Sequence, residues 1–331
     1  MEGATFCIIS IEVGKRFDLW DQDWKIPLQY GIRQVYGENG GPGGLFHSLR
    51  QIPPIIEICE DINLICPDAV VFNFSNPMQR ICHAVTTKFP DLRFIGLCHE
   101  IKSMNRQLPD LMETEMHNIE YRAAGLNHLS ILLEARYKNT GKDGYPIIKQ
   151  NFDTYFSDLV NKHDAKPSKP GAERGVFRKL FKTYGYLPIT TDSHLGEYIQ
   201  WAYSVADHDA ILDFYDNYKE KCLAFYDNKT SYDHYFDLKN LDTHERVVPI
   251  IEGILSDSEY EEPAINIPNN GYIECLPKNI VVEVPGIINK SGISGISFKE
   301  YPAAFGSLLN LQSGVIQMTT DAVLNSSKHS A

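Results

Sequence analysis

The sequence predicts an α/β fold, with a parallel sheet and crossover helices in its first part and a second α+β domain behind it. Three observations point that way. Apolar runs of strand length alternate with helical stretches as far as Cys98. Odd polar residues gather where those runs end, at Glu12 to Arg16, Asn73 to Asn76 and Cys98 to Glu100, and open parallel sheets bind ligands beyond the carboxyl ends of their strands. After Asn127 the pattern changes to a charged stretch, a Tyr-rich helical region and short runs bounded by Pro and Asn.

In chain order, TFCIISIEV (5–13) is a continuous apolar run rich in β-branched residues, the pattern of a buried parallel strand. The glycine-dense GENGGPGG (37–44) follows. LFHSLRQIPPIIEICEDINLIC (45–66) reads as amphipathic helix interrupted at Pro53 and Pro54. AVVFNFSNP (69–77) is a second buried strand, MQRICHAVTTKF (78–89) a helix and LRFIGLC (92–98) a third strand. KHDAKPSKPGAERG (162–175) reads as a mobile loop and residues 197–227 as helical, whereas YIECLPKNIVVEVP (272–285) suggests antiparallel strands.

The 331 residues allow two domains, and 43% hydrophobic content supports an ordinary core. A net charge of −12 argues against nucleic acid and anionic membranes as partners. No window reaches the length of a spanning helix, and the start lacks the basic and small-residue features of a signal peptide. Seven scattered cysteines fit free thiols in a reducing cytoplasm better than a disulfide framework.

Several stretches could carry chemistry. Cys98, His99 and His128 stand at loop positions after apolar runs, where a thiolate and imidazoles could ligate a transition metal; a buried thiol beside a hydrogen-bonded histidine explains the same letters. Softness alone would favour zinc or iron. TTDSHLGEY (190–198) offers Asp192 and His194 as a base and its partner, or Asp192 as the N-cap of a following helix. GENGGPGG lacks GxGxxG spacing, so it is a weak phosphate loop and a plausible turn carrying Glu38 to a site. No nucleophile elbow surrounds any serine or cysteine.

Taken together, GATFCIISIEVGKR, YGENGGPGGLFHSLRQIP, PDAVVFNFSNP, IGLCHE, AGLNHLS, GYLPITTDSHLGEY, INIPNNGYIECLP and VVEVPGII stand in one order that resembles glycoside hydrolase family 4, the NAD- and divalent-metal-dependent glycosidases. The resemblance implies a Rossmann-like domain over 1–124 and a lactate/malate dehydrogenase-like α+β substrate domain over 125–331. It implies that the first βαβ unit and the C-terminal helices of the family are absent, which would expose apolar sheet edges. Cys98 and His128 match the metal ligands, with manganese the usual ion. Asn76, Glu38, Arg16 and Asn127 match substrate contacts, and Glu12, Asn73 and Asn76 cofactor contacts. His99 resembles the proton donor of members with a Cys-His pair, which act on unphosphorylated α-glycosides or α-uronides. Asp192 matches the general base, with His194 as second choice.

The implied mechanism is redox-assisted elimination and addition. Hydride passes from carbon 3 of the sugar to NAD⁺, the proton on carbon 2 is removed, the aglycone departs, water adds and the hydride returns. The expected partner is a small glycoside, and family habit suggests a homodimer or homotetramer. Two other readings fit the same fold: an NAD-dependent 2-hydroxy-acid dehydrogenase, which needs no metal cysteine, and a degenerate sugar-binding relative without catalysis.

Overall fold

A computed structural model describes residues 2–162, 174–227 and 245–331. The first part contains β1 (Phe6–Ile9), α1 (Arg16–Gln29), α2 (Gly41–Ile65), β2 (Val70–Asn73), α3 (Met78–Lys88) and β3 (Arg93–Gly96). β1 pairs with β2, and β2 with β3, both in parallel, so Ile9, Asn73 and Gly96 end at one level. The three expected strands are therefore present and parallel. All four residues of β2 are buried, as a strand with both faces covered requires. β1 forms an edge: among the described residues it pairs only with β2, and Ile8 is 55% exposed.

The expected break at Pro53 and Pro54 is not found. α2 runs through both prolines. Ile52, Ile55, Ile56, Cys59 and Ile62 are buried against the sheet and α3, and each buried aliphatic chain contributes about 1.5–3 kcal/mol. That packing outweighs the local preference of proline to end a helix.

The second part adds α4 (Ser103–Met112), β4 (Ile119–Leu126), β5 (Leu129–Tyr137), α5 (Tyr145–Lys162), α6 (Gly175–Tyr184), α7 (Asp192–Gly196) and α8 (His208–Asp227). It continues with α9 (Val247–Ser256), β6 (Tyr260–Pro268), β7 (Val281–Asn289), β8 (Gly292–Gly295) and α10 (Ala303–Leu324). All of its strand pairings are antiparallel. Both parts share one eight-stranded sheet, in the order β1-β2-β3-β6-β7-β4-β5 with β8 beside β7. The junction is Gly96 of β3 opposite Asn266 of β6. The boundary expected at 124/125 falls inside β4, whose partners are β5 and β7.

The strand expected from 272 begins only at Val281. Residues before it form a turn built on Asn269, whose side-chain amide donates to the carbonyls of Ile273, Leu276 and Pro277. The Lys-rich stretch expected to be a loop lies mostly at 163–173, outside the described residues. α10 packs back onto α2 and α3, which ties the end of the chain to its first part. Among the described residues, no helix is long and apolar enough to cross a membrane.

Candidate active site

The carboxyl ends of β1–β3 open onto a cavity of about 680 Å³, whose wall includes Ser10, Phe74 and Leu97 from the residues just after those strands. The same cavity is lined by Arg16, Glu38, Asn76, Cys98, His99 and His128, together with His194. The structure thus brings together residues from six separate stretches of sequence. Position at the strand ends follows the rule for open α/β sheets.

Cys98 follows β3 directly. His128 occupies the two-residue turn between β4 and β5, at a φ of +61° that is uncommon for a side-chain-bearing residue. This turn aims the imidazole at Cys98: Sγ and Nε2 are 3.4 Å apart. Two ligands at roughly 2.3 Å (sulfur) and 2.0–2.1 Å (nitrogen) from one metal, at near-tetrahedral angles, are separated by about 3.5 Å. The pair therefore fits a shared ion. Burial pushes His128 well down, so its ring is neutral and able to ligate. Burial, with Glu283 and Glu100 behind it, pushes the Cys98 thiol up, so an arriving cation must displace its proton. Among the described residues no group of three or more Cys, His, Asp or Glu is placed to hold a metal ion. Cys98 and His128 alone would leave the remaining coordination positions of an ion open.

His194 stacks on His128, with ring centres 4.1 Å apart and planes 26° from parallel. Nδ1 of each ring is buried without a hydrogen-bond partner among the described residues. Unpaired buried donors and acceptors are costly, which marks this corner as built for something to bind.

The glycine-dense loop has a different role from the phosphate cradle considered above. The amides of Glu38, Asn39 and Gly40 donate to the carboxylate of Glu197 at 3.0, 2.7 and 2.8 Å, and the amide of Gly43 donates to Gln34. A carboxylate of the chain itself fills the anion nest. The glycines allow backbone to touch backbone: a Cβ on Gly43 would lie 2.6 Å from Gly37, and one on Gly44 2.5 Å from Asn39. The loop carries Glu38 to the cavity, where it accepts from Arg16 at 3.2 Å and Asn76 at 3.5 Å. Arg16 also lies over the Trp20 ring, 5.2 Å from its centre, and Trp20, Tyr215 and Tyr218 extend this aromatic wall.

His99 lines the same cavity. Its Nδ1 is 2.9 Å from Glu245, and this bond is the main cause that pushes its pKa up. The upward shift favours the protonated ring that a proton donor needs.

Four expected site residues are placed away from the cavity. Asp192, expected as the base, is fully buried and accepts from the amides of Val176 and Phe177, both at 2.8 Å. It caps the N-terminus of α6, not its own helix, because those amides have no partner inside α6. The second choice, His194, is the one that reaches the cavity. Asn73 is buried and uses its side chain to shape the turn at Ser75. Asn127 is buried with its amide on Glu283 at 2.8 Å, supporting Cys98 from behind rather than facing a ligand. Glu12 is engaged by His47 and Gln51 and borders a neighbouring cleft.

Sequence reasoning assigned no role to Trp20, Glu197, Glu245 or Glu283. Glu283 left one signal, a lone carboxylate within the apolar run VVEVP; it is buried and held by Asn127, Ser130 and Asn266. Glu197 stands in the TTDSHLGEY motif but its partners lie 157–159 residues away, which no local pattern reveals.

Two family models match this chain, "Family 4 glycosyl hydrolase" over 1–114 and "Family 4 glycosyl hydrolase C-terminal domain" over 123–331. The chain belongs to glycosyl hydrolase family 4. This family 4 hydrolase is 48% identical to an alpha-glucosidase of Erwinia rhapontici, over 99% of this chain and 76% of the relative. It is 30% identical to an alpha-galactosidase of Bacillus subtilis, over 99% and 74% of the two chains. An alpha-galacturonidase of Thermoanaerobacterium saccharolyticum is also 30% identical, over 93% and 69%. Among solved structures, a 6-phospho-alpha-glucosidase from gut microorganisms in complex with NAD and Mn2+ shares the fold, with a TM-score of 0.79 at 20% identity over 100% of this chain and 75% of the other. Malate dehydrogenase of Plasmodium falciparum shares it more distantly, with a TM-score of 0.53 at 12% identity over 98% and 77%. The Rossmann-like α/β architecture expected of a family 4 member is therefore present.

Proposed function

We propose that this family 4 hydrolase cleaves an unphosphorylated α-glycoside, with an α-glucoside the first choice, using NAD and a divalent metal for which manganese is the leading candidate. The observation that carries the reading is the 3.4 Å approach of Cys98 to His128 inside the strand-end cavity. The 48% identical relative named alpha-glucosidase supports the choice of sugar.

Cys98 and His128 would hold the metal. The nicotinamide end of NAD fits against Ser10, Phe74 and Leu97 at the ends of the parallel strands. The glycine-dense loop does not take the pyrophosphate, because its amides are spent on Glu197. When bound, the metal supplies Lewis-acid polarisation of a sugar oxygen and the nicotinamide a reversible hydride acceptor.

The chain's own residues supply the rest. Asn76 and Glu38 offer a side-chain amide and a carboxylate to sugar hydroxyls, and Arg16 fixes the Glu38 carboxylate. His194, which lines the cavity and whose Nδ1 has no hydrogen-bond partner among the described residues, takes the proton from the sugar carbon. His99 gives its proton to the departing oxygen, with Glu245 holding the ring in place. The aromatic wall of Trp20, Tyr215 and Tyr218 limits water on one side of the sugar. Free cysteines throughout the described chain support a reducing cytoplasmic setting, and a homo-oligomer is the expected assembly.

The test is hydrolysis of a chromogenic α-glucoside by the full chain with NAD⁺, Mn²⁺ and a thiol reductant. Turnover that a chelator removes and Mn²⁺ restores is the expected result. Turnover indifferent to chelation, or none on any α-glycoside or α-uronide, would overturn the reading.

A further inference from the structure

Gly96, Asn266, Glu283, Gly125 and Ser130 form one row across β3, β6, β7, β4 and β5, each opposite the next. Residues so paired stand side by side on one face of a sheet. Cys98 lies just beyond Gly96 at one end of the row, and His128 just beyond Gly125 near the other. Between them stand two buried polar side chains, Asn266 and Glu283. We propose that Glu283 is a positioning residue of the metal site: its carboxylate ties the turn that carries His128 to the strand that leads into Cys98, and so fixes the spacing at which the two share an ion. The proposal rests on the metal reading above and adds to it the side chain that sets the separation of the ligands.

Glu283 is 2% exposed and accepts three hydrogen bonds. Nδ2 of Asn127 donates to it at 2.8 Å and the hydroxyl of Ser130 at 2.9 Å. These two residues stand on either side of His128, so the turn is gripped before and after the imidazole. The amide of Asn127 also donates to Gln79 at 3.0 Å, and the Gln79 side chain donates to the Val281 carbonyl of β7 at 2.6 Å. The turn is thus held to β7 twice. His128 needs such a grip, because a φ of +61° is seldom adopted by a residue with a side chain. Towards Cys98 the link is Asn266, whose Nδ2 donates to Glu283 at 3.4 Å and to the Gly96 carbonyl at 3.3 Å.

Core packing does not call for this carboxylate. Val282 and Val284 flank it in the strand, and replacing a buried charge by an apolar side chain is often neutral or stabilising for a fold. What a carboxylate adds is two fixed oxygens that accept from several donors at once. All three of its partners are donors, and they belong to the elements that carry the two ligands. Residues that orient metal ligands from behind affect affinity nearly as strongly as the ligands do.

The experiment titrates Co²⁺, standing in for the ion, into the full chain under a phosphine reductant. It reads affinity and the thiolate-to-cobalt absorption band that ligation by Cys98 produces. The native chain should show the band. Glu283→Val should bind about tenfold or more weakly, with a weakened band, in folded protein. Glu283→Gln keeps an acceptor for Asn127 and should recover most of the affinity. A merely structural role would lower the unfolding midpoint of Glu283→Val and leave the affinity and band of its folded molecules native; that outcome would overturn the proposal. So would a Glu283→Gln variant as weak as Glu283→Val. If Glu283→Val does not fold, Ser130→Ala, which removes one of the three bonds, carries the test: a loss of about threefold is expected, and native affinity would overturn the role of Glu283. A native chain without the band, or a band that Cys98→Ser leaves unchanged, would overturn the metal reading and the positioning role with it.

Discussion

The glycine-dense loop at 37–44 and the cluster of Cys98, His128 and His194 both concentrate polar groups beside one cavity, yet they are finished to different degrees. In the loop, three consecutive amides meet a carboxylate, and the glycines leave no room for anything more. In the cluster, two imidazoles present buried nitrogens without partners among the described residues, and a thiol lies at ligand spacing from one of the rings. The loop's amides serve the architecture, and its one contribution to the cavity is the Glu38 side chain. The cluster, whose residues the sequence already offers as candidate ligands or base, is left with imidazole nitrogens unmet among the described residues. Satisfied polar groups hold a fold, and unsatisfied ones point to what the fold binds.

Substitutions can break this contrast. The largest effect is expected from Glu197→Ala, which strands three buried amides and should cost about 4 kcal/mol in urea unfolding, with metal affinity retained. A loss of metal binding of similar size would merge the two regions into one site. The next effect is a pH dependence. Burial pushes the Glu197 carboxyl up to about 7, above its ordinary value near 4.5. Between those pH values the unfolded chain ionises while the folded chain holds its proton, so stability should fall as pH rises through that window. The fall amounts to about 3 kcal/mol in total. Glu197→Ala should flatten this part of the stability profile; an unchanged slope would assign it to another group.

Cys98→Ser should act the other way. It should lower metal affinity and turnover by about 100-fold or more, since a hydroxyl is a harder and more weakly acidic ligand than a thiol, while the unfolding midpoint barely moves. The smallest effect is expected at Asp192. Asp192→Ala removes the cap of α6 and should cost about 1–2 kcal/mol, with turnover per folded molecule retained. Loss of turnover in a folded variant would return the base to Asp192 and remove it from His194.

Much of the first part of the fold was readable because its strands are continuous apolar runs, which β1, β2 and β3 confirm in position and direction. α2 was misread at its prolines because a preference of a few kcal/mol per residue yields to a buried face of five aliphatic and thiol side chains. The role of Asp192 was hidden for another reason. Its partners lie 15 and 16 residues upstream, on a different helix, so no reading of TTDSHLGEY alone could find them. Cys98 and His128 are 30 residues apart; their residue types and loop positions mark them, with His99, as possible metal ligands, and only the family resemblance narrows that set to this pair. Local pattern reports local forces, whereas a site is assembled by contacts that sequence distance conceals.

The shared sheet also sets how the molecule can move. Cys98 hangs from the strand end at β3, and His128 from the turn between β4 and β5, with β6 and β7 hydrogen-bonded in between. Their separation is therefore measured across a continuous lattice of strands rather than across a hinge. Swinging one half of the chain against the other would tear pairings at Gly96 and Asn266 before it widened the site. Thermal motion should reach this gap as the shallow flexing of a plate. In amide exchange, β3, β6 and β7 should open together as one cooperative unit, and the ligand spacing should persist until that unit melts.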